Sequence, residues 1–432
     1  MAKKFSIVSL GCPKNLVDSE NMVKQLQACG YQLIPENNGE DLVILNTCAF
    51  LQSAIKEAEE NIKELLKLKK SNKVKNLVVT GCFPTRSTKD ELKKKFPEVD
   101  LWLSIKEEKD VSIKIGELLK SDYTEPNDSE ENIFQVKMNP SYYAYLKISE
   151  GCNNHCAYCV IPSIRGKYYS RPLIDILEEA KVKLLEGAKE LVLVAEDTTV
   201  WGSDLFGKPS LSLLVQELSK LDVAWIRILY AYPSKIDNAL IREIRKRKNI
   251  CNYLDIPLQH ISNNILKSMN RHYTKEDVCN LFKKLKKKVP DIAIRTSFII
   301  GFPGETEADF EELLDFINEY DVDNLGCFAY SAEPGTAAYD LDCKIAPEVV
   351  EERIDKLMSL QFELIKKRNK RFLNKNHQFI FEGLKEGRLY KDAPEIDSKL
   401  IIDNDERLVI GNIYRAKIVD VDGYDLIGQV LK

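Results

Sequence analysis

Cys152, Cys156 and Cys159 lie within eight residues in the arrangement C-x3-C-x2-C. Three thiols this close along a chain must wrap one soft centre, either an iron–sulfur cluster or zinc. Structural zinc takes four closed ligands, and no fourth Cys or His follows at a finger-like distance. His155 adjoins Cys156, too near to ligate the same ion easily, and is expected to be a polar loop residue. A four-iron cluster normally takes four cysteines. With three, one iron is left open, and an open iron implies that a substrate or cofactor binds there.

A second trio is spread more widely: Cys12, Cys48 and Cys82, spaced by 36 and 34 residues. Each follows a predicted strand by about two residues, the strands being Phe5–Leu10, Leu42–Asn46 and Asn76–Thr80. In an open parallel sheet, groups just beyond the carboxyl ends of neighbouring strands converge on one crevice. Three thiols gathered there would bind a second cluster, again with an open iron; the alternative is three unrelated buried cysteines. Cys29, Cys251, Cys279, Cys327 and Cys343 are expected to be small buried hydrophobes. Eleven cysteines without an export signal are read as metal-binding or catalytic before they are read as disulfides.

The elements that must position these thiols are α/β. Strands alternate with helices at Ser19–Cys29 and Gln52–Lys69, which argues for an open parallel sheet in an N-terminal domain over residues 1–122. Residues 123–140 collect Asn, Asp, Ser and Pro without periodicity and form a linker. Between 141 and 371 the alternation restarts six times, with predicted strands Tyr145–Ser149, Glu190–Ala195, Trp225–Leu229, Asn252–Pro257, Ile292–Ile300 and Asn324–Tyr330. Six βα units make a partial, TIM-like barrel, short of the eight that close one. Residues 372–432 have short strands and turn signals such as Asp422-Gly423, which predicts a small antiparallel β-barrel.

The 432 residues are 44% hydrophobic and 30% charged, with a net charge of −4. That mix excludes collagen, extended disorder and a disulfide-stapled miniprotein, and it advertises neither nucleic acid nor an anionic membrane. Lys3-Lys4 followed by Phe5–Leu10 and Gly11-Cys12 mimics an export signal, but its apolar core is too short. It reads as a first strand, and the protein is expected in the cytoplasm. Basic runs at Lys93–Lys95, Lys283–Lys288 and Lys366–Arg371 fall on helical patterns and are expected to be solvated faces.

The stretch Cys152-Asn153-Asn154-His155-Cys156-Ala157-Tyr158-Cys159, following the first strand of a βα repeat, resembles the radical S-adenosylmethionine enzymes, whose hallmark is C-x3-C-x-(aromatic)-C. The resemblance implies that the open iron chelates the amino and carboxylate groups of S-adenosylmethionine, whose reductive cleavage gives a 5′-deoxyadenosyl radical. On this reading Cys152, Cys156 and Cys159 are catalytic, and Tyr158 lines the adenine. Glu196, Asp197 and Gln259, at barrel strand ends, are candidate contacts to the cofactor.

A narrower resemblance rests on Gly11-Cys12-Pro13-Lys14-Asn15, Asn46-Thr47-Cys48-Ala49 and Thr80-Gly81-Cys82. These look like the N-terminal domain of the methylthiotransferases, which carry two [4Fe–4S] clusters and a C-terminal TRAM barrel. That family implies Cys12, Cys48 and Cys82 as ligands of a sulfur-handling cluster, and an external electron donor. One branch methylthiolates the β-carbon of an aspartate in small-subunit ribosomal protein twelve, free or in the assembled ribosome; the other modifies an adenosine in tRNA. Pro13-Lys14-Asn15 replaces the Gln-Met-Asn typical of the tRNA branch. Ile161-Pro162-Ser163-Ile164-Arg165-Gly166 and Asp392-Ala393-Pro394-Glu395-Ile396-Asp397 resemble the protein-modifying branch, although Glu196 stands where that branch usually has Gln. The tail, with 9 Lys+Arg against 11 Asp+Glu, suits a basic protein better than phosphates, so tRNA and membrane are disfavoured as partners.

Overall fold

The computed structural model describes residues 3–35, 39–120, 138, 140–403 and 407–431. They divide into two compact units. The first comprises residues up to 140 together with 151–153 and 159–167, the second the remainder. Most of the expected linker, 123–140, lies outside the described residues.

The first unit holds a five-stranded parallel sheet. Its strands are β1 (Lys4–Ser9), β2 (Gln32–Leu33), β3 (Leu42–Thr47), β4 (Asn76–Gly81) and β5 (Leu101–Trp102), in the order β2-β1-β3-β4-β5. Alternate residues of β3 serve opposite faces: Val43 and Leu45 join one apolar cluster, Leu42 and Ile44 another. Both faces are covered, which is why these strands read as near-continuous apolar runs.

The first helix runs Pro13–Ala28 and so begins well before the expected Ser19. Pro13 fits the first helical turn, where no N–H is needed. The polar residues that hid the periodicity, Asn15 and Asp18, are buried. Cys82 opens a further short helix, Cys82–Arg86.

In the second unit the expected six parallel strands are β6 (Tyr143–Lys147), then after a small hairpin β7 (Ser149–Glu150) and β8 (Tyr169–Ser170), β9 (Glu190–Val194), β10 (Trp225–Ile228), β11 (Ile250–Asp255), β12 (Ala293–Ile300) and β13 (Asn324–Ala329). They form an open sheet, β13-β12-β11-β10-β9-β6. The helices packed on it, among them Leu173–Leu185, Leu211–Leu218 and Lys275–Lys288, share one large apolar core with its strands.

The tail closes into a barrel of β14 (Asn376–Gly383), β15 (Glu386–Leu389), β16 (Leu400–Ile402), β17 (Ile413–Asp422) and β18 (Asp425–Val430). It is not wholly antiparallel, because β16 and β18 pair in parallel. A closed ring of five strands cannot alternate direction all the way round, so one parallel pair is forced.

Every strand of the six-stranded sheet contributes a residue to the segment 388–397 of this tail. Tyr143 donates to Glu395 (2.6 Å), Arg227 to the Tyr390 carbonyl (2.7 Å), Tyr253 to Asp397 (2.7 Å), Arg295 to Asp397 (3.2 Å) and Asn324 to the Lys391 carbonyl (3.2 Å). Glu190, fully buried, is clasped by Arg227 at 2.6 Å and Arg388 at 2.5 Å. The segment thus fills the amino-terminal mouth of the partial barrel. Asp392 and Asp397 point into protein, the former onto Lys391, which removes much of the force from an argument based on the tail's net charge. Of the five cysteines expected to be buried, Cys251 is, while Cys343 is exposed in a loop. Its short apolar context lies outside any regular element.

Candidate active site

Strands β3 and β4 run one residue further than expected, so Cys48 and Cys82 directly follow their strand ends, and Cys12 follows β1 by three residues. The glycine before Cys12 and the glycine before Cys82 make this crowding feasible. Gly11 has φ +93°, and a Cβ there would sit 2.7 Å from Cys48 Cβ; Gly81 has φ +95°, and a Cβ would sit 2.3 Å from Asn46 Oδ1. Both combine a left-handed backbone with space for hydrogen only.

Asn15 stitches these ends together. Its amide donates to the carbonyls of Leu10 (3.1 Å) and Thr47 (3.0 Å), while Asn46 donates to the Asn15 carbonyl (2.9 Å). Asn15 Oδ1 accepts from Arg165 Nη2 at 2.6 Å, and Cys82 Sγ lies 3.8 Å from the same oxygen. Arg165 also pairs with Asp18 at 3.2 Å and approaches Cys82 Sγ at 3.9 Å, its side chain almost wholly shielded from water. Burial pushes the Cys82 thiol up to about 12, with the Arg165 cation pulling the other way; burial also raises Cys48. Sequence reasoning missed Asn15, Asp18 and Arg165 as site residues, although Asn15 and Arg165 stand in the motifs quoted above.

The C-x3-C-x2-C loop is anchored at several points. The Cys152 N–H donates to the Gly166 carbonyl (3.2 Å). Within the second unit, Ala157 exchanges backbone bonds with Met269 (2.9 Å) and Ala338 (2.8 Å), and Asn270 donates to the exposed His155 carbonyl (2.7 Å). Tyr158 packs against the cluster of Ile265, Met269 and Phe302. Asn154 donates to Asp197 Oδ2 (2.9 Å), which also accepts from Lys235 (3.1 Å), and Lys235 returns to Asn154 Oδ1 (2.8 Å). The other Asp197 oxygen accepts from the Thr199 N–H (3.0 Å) and hydroxyl. Both oxygens of this buried carboxylate are therefore committed to protein.

Arg271 Nη1 lies 3.4 Å from Cys156 Sγ. Gln259 is half-buried with φ +68°, its backbone held by Ser297 and Ile299, and its amide makes no hydrogen bond among the described residues. A non-glycine residue in the left-handed region at a strand end is where fold strain is commonly stored for ligand contact. Tyr230, at the end of β10, shares that feature with φ +57°. Glu196 adjoins Asp197, with both carboxylate oxygens shielded from water.

None of the eleven cysteines is disulfide-bonded. Among the described residues, no three His, Cys, Asp or Glu side chains converge as ligands of a single metal ion would. A four-iron cluster would take its thiolates on different irons, so they would stand further apart than the ligands of a single ion. The donor sets, thiols with cationic guanidinium neighbours, fit such an anionic cluster.

Three family models match the chain: the uncharacterized protein family UPF0004 over residues 4–104, the radical SAM superfamily over 146–317 and the TRAM domain over 378–431. Ribosomal protein uS12 methylthiotransferase RimO of Acetivibrio thermocellus is 42% identical, covering 100% of this chain and 99% of its own. The proteins of the same name from Geobacter sulfurreducens and Clostridioides difficile are 42% and 43% identical, each pairing covering 99% of both chains. Among solved structures, the radical S-adenosylmethionine methyltransferase TsrM from Kitasatospora setae superposes with a TM-score of 0.56 at 15% identity, over 78% of this chain and 77% of that one. The cobalamin-dependent S-adenosylmethionine radical enzyme OxsB gives 0.54 at 13% identity, over 83% and 56%. These two likenesses speak to the fold.

Proposed function

The chain belongs to the RimO family of ribosomal protein uS12 methylthiotransferases, and from that premise we propose how its own residues divide the work. It is a radical S-adenosylmethionine enzyme that methylthiolates an aspartate of a ribosomal protein. When bound, a [4Fe–4S] cluster would supply the electron for cleaving S-adenosylmethionine. Cys152, Cys156 and Cys159 hold that cluster, and Cys12, Cys48 and Cys82 hold a second one that handles the inserted sulfur. The observation that carries the second assignment is that Cys12, Cys48 and Cys82 follow the ends of three adjacent strands, with Asn15 bonded across two of those ends and the Arg165 cation beside Cys82.

Asp197 acts through Asn154 and Lys235 to hold the cysteine loop in place, so we assign it to positioning. Tyr158, Gln259 and Glu196 remain the proposed contacts to S-adenosylmethionine. For Gln259 the support is a left-handed backbone and an amide without a hydrogen-bond partner among the described residues. The substrate is the β-carbon of an aspartate in protein uS12, presented free or on the ribosome, and tRNA is not a substrate. Electrons come from an external one-electron donor. No helix among the described residues is long and apolar enough to cross a membrane, and we place the enzyme in the cytoplasm with its ribosomal substrate.

The test is the intact mass of protein uS12 from cells with and without this gene. A methylthio increment on one aspartate should disappear with the gene, return with the wild type, and stay absent with Cys156→Ala. An unmodified protein in both strains, with 2-methylthioadenosine missing from tRNA, would overturn the protein substrate. Zinc at one per chain without iron or sulfide would overturn the cluster assignment.

A further inference from the structure

Arg271 sits in the turn after the helix Asn263–Ser268 and makes an unusual set of contacts for an arginine. Its Nε donates to the Tyr273 hydroxyl (2.8 Å), its Nη2 to the Pro257 carbonyl (2.7 Å), and its Nη1 reaches Cys156 Sγ (3.4 Å). The guanidinium carbon lies 4.4 Å from the centre of the Tyr232 ring and 5.0 Å from that of Tyr273. Those two rings meet edge to face at 5.5 Å, which fixes the slot. Tyr273 in turn donates to the Leu258 carbonyl (2.6 Å), and Tyr232 accepts from the His272 N–H (3.1 Å).

Among the described residues, no carboxylate forms an ion pair with this cation. A partly buried guanidinium held by ring faces and a carbonyl lacks the opposite charge that such groups ordinarily acquire. The anion it faces is the sulfur of Cys156. Three thiolates on a [4Fe–4S]2+ core carry one net negative charge, and one-electron reduction makes it two. A fixed cation donating to a ligand sulfur stabilises the more negative state more strongly.

We propose that Arg271 raises the reduction potential of the cluster held by Cys156 through its Nη1–H···Sγ contact, making it a positioning residue that tunes the electron supply. The inference rests on the assignment of Cys152, Cys156 and Cys159 to a cluster. The step concerned is the uptake of one electron by that cluster from a low-potential one-electron donor, without proton or atom transfer. Arginine suits the post because its planar fork can satisfy a hydroxyl, a carbonyl and a sulfur at once, which the lysine ammonium cannot do in this geometry.

The experiment is a dithionite titration of the full chain with its clusters, free of S-adenosylmethionine and oxygen, followed by electron paramagnetic resonance. Wild type, Cys156→Ala, Arg271→Gln and Arg271→Lys are compared. Cys156→Ala should remove one reducible species. Arg271→Gln should keep that species but make its reduction about tenfold less favourable, a shift of about 59 mV to more negative potential. Arg271→Lys should fall between the two. Either Arg271 variant reducing at the wild-type potential overturns the proposal, and the lysine variant carries the test if the glutamine variant loses its cluster. Retention of every reducible species in Cys156→Ala would instead overturn the cluster assignment.

Discussion

Arg165 Nη2 lies 2.6 Å from Asn15 Oδ1, joining residues 150 positions apart beside the strand ends that Cys12, Cys48 and Cys82 follow. The same nitrogen touches Cys82 and Asp18. One side-chain amide therefore ties two strand-end carbonyls to a guanidinium that lies beside Cys82.

Replacing Asn15 with Ala strands the Leu10 and Thr47 carbonyls and one face of Arg165. Buried groups left without partners cost about 1–3 kcal/mol. The expected result is a lower unfolding midpoint together with loss of the cluster assigned to Cys12, Cys48 and Cys82, so that iron per chain falls towards one cluster's worth. Iron analysis and denaturant unfolding check this; wild-type iron in a destabilised variant would show that Asn15 supports the fold alone.

Asp197→Ala removes the acceptor that holds both Asn154 and Lys235. It leaves the ammonium without its carboxylate and frees one side of the cysteine loop. S-adenosylmethionine cleavage should fall by about ten- to a hundredfold, as for outer-shell partners of metal ligands generally. Asp197→Asn, which keeps one acceptor, should recover part of it. Equal loss in both variants, with iron retained, would point to direct cofactor contact instead.

These roles were only partly legible in the sequence. The apolar runs were enough to give the three neighbouring parallel strands β1, β3 and β4, whose ends Cys12, Cys48 and Cys82 follow. The helix Pro13–Ala28 was seen only from Ser19, since Asn15 and Asp18 are polar on its buried side. Arg165 and Arg271 were invisible as partners of Cys82 and Cys156. Their contacts cross 83 and 115 residues of chain, and nothing local distinguishes them from surface arginines. The acidic tail showed its composition but not that Asp392 and Asp397 face inward.

Asp397 gives the structure a pH signature. Burial, reinforced by nearby Asp392, pushes its carboxyl up to about 6 against the pull of Arg295, the Ala393 N–H and the Tyr253 hydroxyl. Asp255, which shares Arg295, completes the charges around it. The folded chain then holds a proton that the unfolded chain releases between about pH 4 and 6. Stability from this group therefore falls as pH rises through that window, by up to about 1.4 kcal/mol per unit. Thermal melts of wild type and Asp397→Asn from pH 5 to 7 should show the wild type losing ground relative to the variant as pH rises. A constant difference would place the ionisation elsewhere.

The segment that fills the mouth of the partial barrel also sets a timetable. Tyr143 and its partner Glu395 are 252 residues apart, and a ribosome adding about 5–20 residues per second needs roughly 13–50 s to span that gap. Until then the inward-facing Arg295 and Tyr253 of the nascent six-stranded sheet wait for Asp397, in a cavity open to water. Residues 388–397 thus act as a stopper that emerges well after the strands it closes, and a chain cut short before them would leave its ribosome with an open, half-neutralised lumen.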